Sequence, residues 1–236
     1  MLLYEKEYDL RVSDFDKDDC LKPFAILDAF QTAADFHAKR IGMGYDDLIK
    51  NGIVWVLLRT RYDVLKPISF GTEKVILRTW PHEAGRADYD RDYQILSTGG
   101  EVLINGSSKW CLLNIKTRRI VFGGGVNYPD GEYFPQKNYP DGLKKIADFS
   151  IEGALEVTAL AGERDLDHNG HVNNARYAEF ILDALEGEKI RSIEINYLNE
   201  MIKGEYTLYV IKEDNKRLIK GFSNQKESFR AVVEVL

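Results

Sequence analysis

The feature that most constrains the fold is a pattern that occurs twice in the chain. The segment DFDKDDCL begins at Asp14, and DLDHNGHV begins at Asp165, 151 positions later. Each segment lies just before a stretch with apolar residues at spacings of three and four, which is typical of a buried amphipathic helix. A second match places LKPISFG, from Leu65, over LNEMIKG, from Leu198. Because the matches occur in the same order, we infer that the chain contains two copies of one unit.

Each copy is predicted to combine one helix with several antiparallel strands. The helices are expected at residues 24–41 and 174–185. The strands are expected where Val, Ile, Leu, Tyr and Trp cluster, at residues 54–64, 73–80, 91–96, 102–114, 154–161, 190–198, 206–212, 217–222 and 229–235. A linker rich in Gly and Pro at residues 123–142 separates the two sets. The pattern predicts an α+β fold with one unit at residues 1–140 and a second at 150–236.

Composition and charge argue against several classes of protein. The chain is 44% hydrophobic and 30% charged, which is typical of a globular protein. A net charge of −6 argues against a nucleic-acid-binding protein, whose affinity comes largely from neutralising phosphates. No apolar run is long enough to predict a membrane span, and the first residues lack the pattern of a secretion signal. Cys20 and Cys111 cannot form a disulfide framework, so we expect a cytoplasmic protein.

The reactive residues are concentrated in the second copy. At four matched positions the second copy carries Asp167, Asn169, His171 and Glu200, where the first carries Asp16, Asp18, Cys20 and Pro67. Carboxylates and imidazoles activate water or attack a carbonyl group, which the hydrolysis of an activated acyl group requires. We therefore predict that the four residues of the second copy are catalytic.

The start of the second helix is predicted to supply donors for an oxyanion. Free backbone N–H groups at Val172 and Asn173 would point at a developing negative charge, and Asn174 is expected to cap the helix. A metal site is an alternative use of the same segment, with Asp165, Asp167, His168 and His171 as ligands. Since such short spacing in a loop differs from the usual zinc geometry, we predict neither a metal nor another cofactor.

The segment DLDHNGHVNNARY resembles the signature of the acyl-ACP thioesterases of plants and bacteria. In that signature Asp-x-Asn-x-His-Val-Asn-Asn precedes the second helix, and Asp167, Asn169 and His171 match its catalytic positions. The segment YLNEMIKGE is similar to the one with the catalytic Glu of the family, here Glu200, although Met201 stands where plant members often carry Cys. FQTAADFHAKRIGMG, WVLLRTRYDVLKP and LRTWP resemble the N-terminal domain of the family.

The resemblance implies a tandem hot-dog fold, in which each of two units is a long helix wrapped by an antiparallel sheet. It also implies an acyl chain bound by the first unit, catalytic residues in the second, and hydrolysis of fatty acyl-ACP to free fatty acid and holo-ACP, ending elongation. We expect Phe30, Trp55 and Trp80 to line the acyl pocket. An acyl-CoA thioesterase of the same fold and a non-catalytic protein that binds acyl thioesters are the alternatives.

The implied partner, acyl carrier protein, is acidic, so a basic docking patch is expected despite the net negative charge. The candidate residues are Lys39, Arg40, Arg78, Arg86, Lys116, Arg118 and Arg119. A homodimer is also possible.

Overall fold

The computed structural model describes residues 1–122, 125–223 and 225–236. The first half of the chain contains β1 (Tyr4–Asp9), α1 (Pro23–Arg40), α2 (Tyr45–Ile49), β2 (Ile53–Val64), β3 (Lys74–Pro81), β4 (Tyr89–Leu96), β5 (Val102–Asn114) and β6 (Arg119–Val121). The second half contains β7 (Leu155–Ala161), α3 (Tyr177–Ala184), β8 (Ile190–Tyr197), β9 (Gly204–Glu213), β10 (Lys216–Ser223) and β11 (Lys226–Val235). Short 3-10 turns lie at Val12–Asp14, Glu163–Asp165 and Asn174–Arg176.

The strands form one continuous sheet with the same connectivity in each half. From either edge to the centre, the strands of that half follow as its first, third, fourth, fifth and second in chain order. The order is β1-β3-β4-β5-β2-β8-β11-β10-β9-β7, and β6 pairs with β5 outside this path. The named strands of the described residues pair in antiparallel fashion throughout. The two halves join at β2 and β8, where Thr60 lies opposite Ile195. The predicted α+β class is therefore confirmed.

The helices α1 and α3 pack on the sheet within one hydrophobic core that spans both halves. Ile26 and Phe30 of α1 belong to the same buried cluster as Tyr177 and Ile181 of α3. The burial of these large apolar side chains is the main source of stability for such an arrangement. Because the two helices also contact each other, the core ties the two halves together.

The two helices differ in length and in how they begin. The first runs for 18 residues from Pro23, whose missing N–H group costs nothing at a helix start. The second has only eight α-helical residues, preceded by the 3-10 turn. The side chain of Asn173 accepts the N–H group of Ala175 at 2.9 Å. Asn173 therefore caps this turn, and the prediction that Asn174 is the cap is wrong.

All nine predicted strands are present, but β1, β6 and α2 were not predicted. The strand β1 reads YEKEYD, and its charged residues suit an exposed edge strand rather than a buried one. The element β6 has three residues and α2 has five, too few for a periodic signal. None of the helices in the described ranges is both long enough and apolar enough to cross a membrane.

Candidate functional site

The loop before α3 is folded around the carboxylate of Asp167. Its Oδ1 accepts the backbone N–H groups of Asn169 at 2.8 Å and His171 at 3.2 Å. The Asp167 N–H group donates to the His171 carbonyl at 2.7 Å, and the Gly170 N–H group donates to the Asp167 carbonyl. Gly170 adopts a φ of 77°, which favours glycine. The Asp167 side chain thus holds a tight turn in the way Asp residues commonly do in loops.

Glu200 is brought to this loop from the segment between β8 and β9. Its Oε2 lies 3.5 Å from Nε2 of His171, with the two side chains 49% and 36% exposed. The adjacent Met201 donates its N–H group to the Tyr177 hydroxyl at 3.1 Å and accepts the Val172 N–H group at 2.8 Å. These two hydrogen bonds fix the Glu200 segment against the start of α3.

A third charged group approaches the same carboxylate from the other half of the chain. Nη2 of Arg118, in the turn between β5 and β6, lies 3.6 Å from Oε2 of Glu200. Sequence reasoning placed Arg118 only among the candidates for carrier docking. Since Arg118 and Glu200 are 82 positions apart, no local pattern could have revealed their contact.

One large cavity connects these residues with the first half of the chain. Its volume is about 1090 Å³. The four residues predicted to be catalytic all line it: Asp167, Asn169, His171 and Glu200. From the first half its walls include Ala34, Ala38, Met43, Trp55, Tyr89, Arg91, Trp110 and Tyr128. The structure thus joins the polar residues of the second half to an aromatic wall in the first.

Of the three aromatic residues expected to line the acyl pocket, only Trp55 is found on the wall of this cavity. Its ring packs edge-on against Tyr89 at 5.0 Å, and its Nε1 donates to the Met43 carbonyl at 2.9 Å. These contacts hold the indole ring in one orientation on the wall.

Phe30 and Trp80 do not line this cavity, and the expectation that they line the acyl pocket stays a prediction. Phe30 stacks on Tyr93 at 4.5 Å beside a small void that shares Trp110 and Asn174 with the wall of the large cavity. Trp80 is fully buried, with its Nε1 bonded to the Gln136 carbonyl and its ring against Phe134. The linker covers Trp80, which is a contact that its strand pattern alone does not reveal.

The backbone donors at the start of α3 are not those predicted. The Val172 N–H group donates to the Met201 carbonyl and the Asn173 N–H group to the Asp165 carbonyl, both at 2.8 Å. Neither is free, so that part of the prediction is wrong. Asn174 is the first residue of the 3-10 turn, where N–H groups lack a partner within the helix. It lines the cavity, and its N–H group donates to no other group among the described residues.

The wall contributed by β4 contains a buried polar group. Arg91 is 9% exposed, and its Nη1 lies 3.0 Å from Nδ1 of His37 and 3.3 Å from the Thr79 hydroxyl. Burial, followed by the charges of Arg91 and Arg40, lowers the pKa of His37 to about 3. His37 is therefore neutral at pH 7 and accepts a hydrogen bond from Arg91. Next to the aromatic Tyr89, β4 thus places a buried cation, Arg91, on the wall of the cavity.

The alternative ligand set for a metal does not converge. The Asp165 carboxylate is buried and accepts the Gly162 N–H group at 2.8 Å. The His168 ring packs edge-on against Tyr45 at 5.3 Å. Across residues 1–122, 125–223 and 225–236, no group of three or more His, Cys, Asp or Glu side chains could hold a metal ion.

Sequence reasoning also missed the positioning role of Tyr177. Its ring is buried, and its hydroxyl anchors Met201 next to Glu200. The apolar stripe of the second helix marks Tyr177 as a core residue, which is correct. A phenol on such a stripe needs a polar partner when buried, and that requirement is the signal that could have indicated its second role.

Two family models match the chain. A model described as the acyl-ACP thioesterase N-terminal domain matches residues 1–122, and one described as the acyl-ACP thioesterase C-terminal domain matches residues 161–231. The chain is 26% identical over 216 residues to a protein of Arabidopsis thaliana named palmitoyl-acyl carrier protein thioesterase, chloroplastic. That alignment covers 84% of this chain and 52% of the relative. The chain thus spans about half the length of the curated relatives that it matches first.

Two solved structures share the whole fold. One is an acyl-ACP thioesterase from Bacteroides thetaiotaomicron, with a TM-score of 0.83 at 24% identity. The other is a 12:0-ACP thioesterase from Umbellularia californica, with a TM-score of 0.83 at 22% identity. In both cases the superposition covers 100% of this chain and 98% of the other chain. These likenesses confirm the tandem hot-dog fold.

Proposed function

The chain belongs to the acyl-ACP thioesterase family, and from that premise we propose that it hydrolyses fatty acyl-ACP to free fatty acid and holo-ACP. The observation that carries this proposal is the large cavity, which joins Asp167, His171 and Glu200 to the aromatic wall around Trp55. A thioester carbonyl held near the three polar residues leaves room in the first half for the acyl chain. The reaction then ends fatty-acid elongation by removing the acyl group from its carrier.

The N–H group of Asn174 is the proposed donor for the oxyanion. It is the first N–H group of the turn before α3 that lacks a partner among the described residues, and Asn174 lines the cavity. The start of a helical turn carries a partial positive charge, so it stabilises the negative oxygen of a tetrahedral intermediate. Val172 and Asn173 act indirectly, because their own hydrogen bonds hold the turn in place.

Glu200 and His171 are proposed to activate the attacking water. Water forms a bond to the carbonyl carbon while one of its protons passes to the Glu200 carboxylate. Collapse of the tetrahedral intermediate then breaks the carbon–sulfur bond, and the proton is returned to the leaving thiolate. His171 lies 3.5 Å from Glu200 and orients its carboxylate. Asn169 is proposed to orient the carbonyl group. These residues suffice without a metal or an organic cofactor.

A second route uses Asp167 as a nucleophile. Its Oδ1 already accepts two backbone N–H groups, which leaves Oδ2 to attack the carbonyl and form a mixed anhydride. Two single-turnover measurements by mass spectrometry separate the routes. Label from ¹⁸O-water in the Asp167 carboxylate, or a hydroxamate formed at Asp167 or from the acyl group when hydroxylamine traps the anhydride, would support the covalent route. Water activation places the label in the fatty acid alone and forms no species that hydroxylamine traps on the protein.

The two halves are proposed to have different functions, acyl-chain binding in the first and catalysis in the second. Residues 1–140 would form the unit that holds the acyl chain, and residues 150–236 the unit that carries the catalytic residues. The walls of the cavity support this division, because most of the aromatic groups come from the first half and the four candidate catalytic residues come from the second. A cytoplasmic location and a homodimer stay predictions.

The proposed function is tested by turnover of purified protein on acyl-ACP and acyl-CoA of matched chain lengths. We expect hydrolysis of acyl-ACP with a higher kcat/KM than that for the matched acyl-CoA. A preference for acyl-CoA would support the first alternative, a CoA thioesterase of the same fold. Tight binding of acyl-ACP without release of a thiol would support the second alternative, a non-catalytic binding protein.

A further inference from the structure

We infer that Arg118 is a positioning residue for Glu200, so that the first half of the chain also acts on the catalytic centre. The inference rests on the proposed function. Nη2 of Arg118 lies 3.6 Å from Oε2 of Glu200, the same oxygen that lies 3.5 Å from Nε2 of His171. Both Arg118 and Glu200 line the large cavity. Arg118 thus comes from the first half of the chain, whereas Asp167, His171 and Glu200 come from the second.

The backbone at Arg118 is in a conformation that an arginine rarely adopts. Its φ is 55°, in the left-handed region where glycine is the usual residue. Turns that join adjacent antiparallel strands commonly have a glycine at such a position. An arginine here costs backbone strain that glycine would not, and strained residues of this kind cluster at functional sites. The strained backbone therefore indicates that the Arg118 side chain has a function that glycine could not provide.

The turn that carries Arg118 is held rigidly by other residues. Oδ1 of Asn114 accepts the N–H groups of Lys116 at 3.1 Å and Thr117 at 2.9 Å, and the Arg118 N–H group donates to the Asn114 carbonyl at 2.8 Å. The Ile115 N–H group donates to the carbonyl of Gly52, which directly precedes β2. The guanidinium group therefore projects from a fixed turn toward Glu200.

Stability does not account for this ion pair. The Arg118 side chain is 68% exposed and the Glu200 side chain 49% exposed. Pairs between exposed charges contribute little to folding because water screens them. Restraining the direction of the Glu200 carboxylate beside His171 is a use that needs no large stabilisation, because catalysis is sensitive to small displacements of a reacting group.

Carrier docking is the competing explanation, because Arg118 is an exposed cation near the mouth of the cavity. The two explanations differ in what they predict for a substrate without a carrier. A docking residue changes KM for acyl-ACP and leaves a small thioester unaffected. A positioning residue changes kcat for both substrates, since Glu200 acts on the thioester group that they share.

The test compares Arg118→Gln, Arg118→Lys and Arg118→Gly with Arg119→Gln, which removes the same charge from the next residue. Each protein is assayed on acyl-ACP and on a short acyl thioester of N-acetylcysteamine. We expect Arg118→Gln to lower kcat about 10- to 100-fold on both substrates with little change in KM. Arg118→Lys should recover part of the loss, and Arg119→Gln should keep kcat on the small thioester.

Arg118→Gly provides a readout that a purely structural role would not give. Glycine removes the strain at φ 55°, so we expect a melting temperature at or above that of the wild type together with a kcat as low as that of Arg118→Gln. An Arg118→Gln protein that shows only a raised KM for acyl-ACP, or normal kinetics on both substrates, would overturn the inference. A wild-type protein that hydrolyses no thioester would overturn the proposed function and this inference together, which distinguishes the two failures.

Discussion

The loop ahead of α1 and the loop ahead of α3 make the same hydrogen bonds at matched positions. In the first loop, Oδ1 of Asp16 accepts the N–H groups of Asp18 and Cys20, both at 2.9 Å. In the second, Oδ1 of Asp167 accepts the N–H groups of the residues two and four positions later. The Asp16 N–H group also donates to the Cys20 carbonyl, and the Asp167 N–H group donates to the His171 carbonyl at the matched position.

The match extends to the backbone around both loops. Asp19 has a φ of 59° where Gly170 has 77°. The residue that ends each loop donates its N–H group to a segment before a later strand, from Leu21 to the Ile68 carbonyl and from Val172 to the Met201 carbonyl. The two loops therefore have the same backbone conformation, and the chemical difference between them lies in their side chains.

This comparison separates two properties of Asp167. Its hydrogen bonds to the loop backbone are also made by Asp16, which has no His or Glu at the matched positions, so those bonds are structural. The pair formed by His171 and Glu200 has no counterpart, because the first copy carries Cys20 and Pro67 at the matched positions. Catalysis is therefore expected to depend most on the pair and less on the loop that both copies share.

The largest effect is expected for Glu200→Gln, which removes the proposed general base while nearly preserving its shape. We expect kcat to fall about 10²- to 10⁴-fold. The melting temperature should stay near that of the wild type, since the side chain is half exposed. The matched control is Pro67→Ala in the first copy, which should keep full turnover in a folded protein. Near-normal hydrolysis by Glu200→Gln would contradict the proposal that the Glu200 carboxylate is the chemical difference between the two copies.

A smaller effect on turnover is expected for Asp167→Asn, and its matched control is Asp16→Asn. Asparagine keeps an oxygen that can accept both backbone N–H groups, so each variant should lose only about 0.5–1.5 kcal/mol of unfolding free energy. We expect kcat to fall about 10- to 100-fold in Asp167→Asn alone, because the loop that presents His171 loosens. Denaturant titrations and steady-state kinetics measure both quantities. Loss of activity in Asp16→Asn with normal activity in Asp167→Asn would contradict the comparison.

A still smaller effect is expected for Trp55→Phe in the first half. The smaller ring enlarges the cavity on its aromatic wall, so the preferred acyl chain should lengthen, with a change of about tenfold in the ratio of kcat/KM between neighbouring lengths. Hydrolysis of a short acyl thioester should be unchanged. Trp80→Phe is the control, since Trp80 is outside the cavity wall of the described residues and should not alter the ratio. A uniform loss of turnover at every chain length would argue against the division between the halves.

The remaining effect is on stability rather than on turnover and concerns His37, the buried histidine of the first half, in contrast to the more exposed His171. Below pH 6.5 the unfolded chain binds a proton at this position, whereas burial keeps the folded pKa at about 3. The unfolding free energy should therefore fall as the pH drops from about 6.5 to about 3, by at most about 1.4 kcal/mol per pH unit from this group. In His37→Gln this contribution disappears, and denaturant titrations at several pH values measure the difference. Parallel curves for the two proteins would show that His37 takes up a proton while folded.

Local sequence patterns were sufficient for nine of the eleven named strands, the two main helices and the two matched loops. These features depend on side-chain alternation, helical spacing and turn-forming residues within short segments. The four residues predicted to be catalytic also line one cavity, because three share a loop and the fourth follows a strand end at the matched position. Their roles in hydrolysis stay a proposal.

Tertiary structure alone decided which groups are available to a substrate. Whether the Val172 N–H group is free depends on Met201, 29 positions away, and the environment of Glu200 depends on Arg118 in the other half. Trp80 lies beneath the linker, away from the large cavity. A repeated pattern specifies a backbone conformation because that conformation depends on contacts between residues close in sequence. An N–H group without a partner, or a side chain that lines a cavity, is what remains after segments distant in sequence have packed. No short stretch of the sequence contains that information.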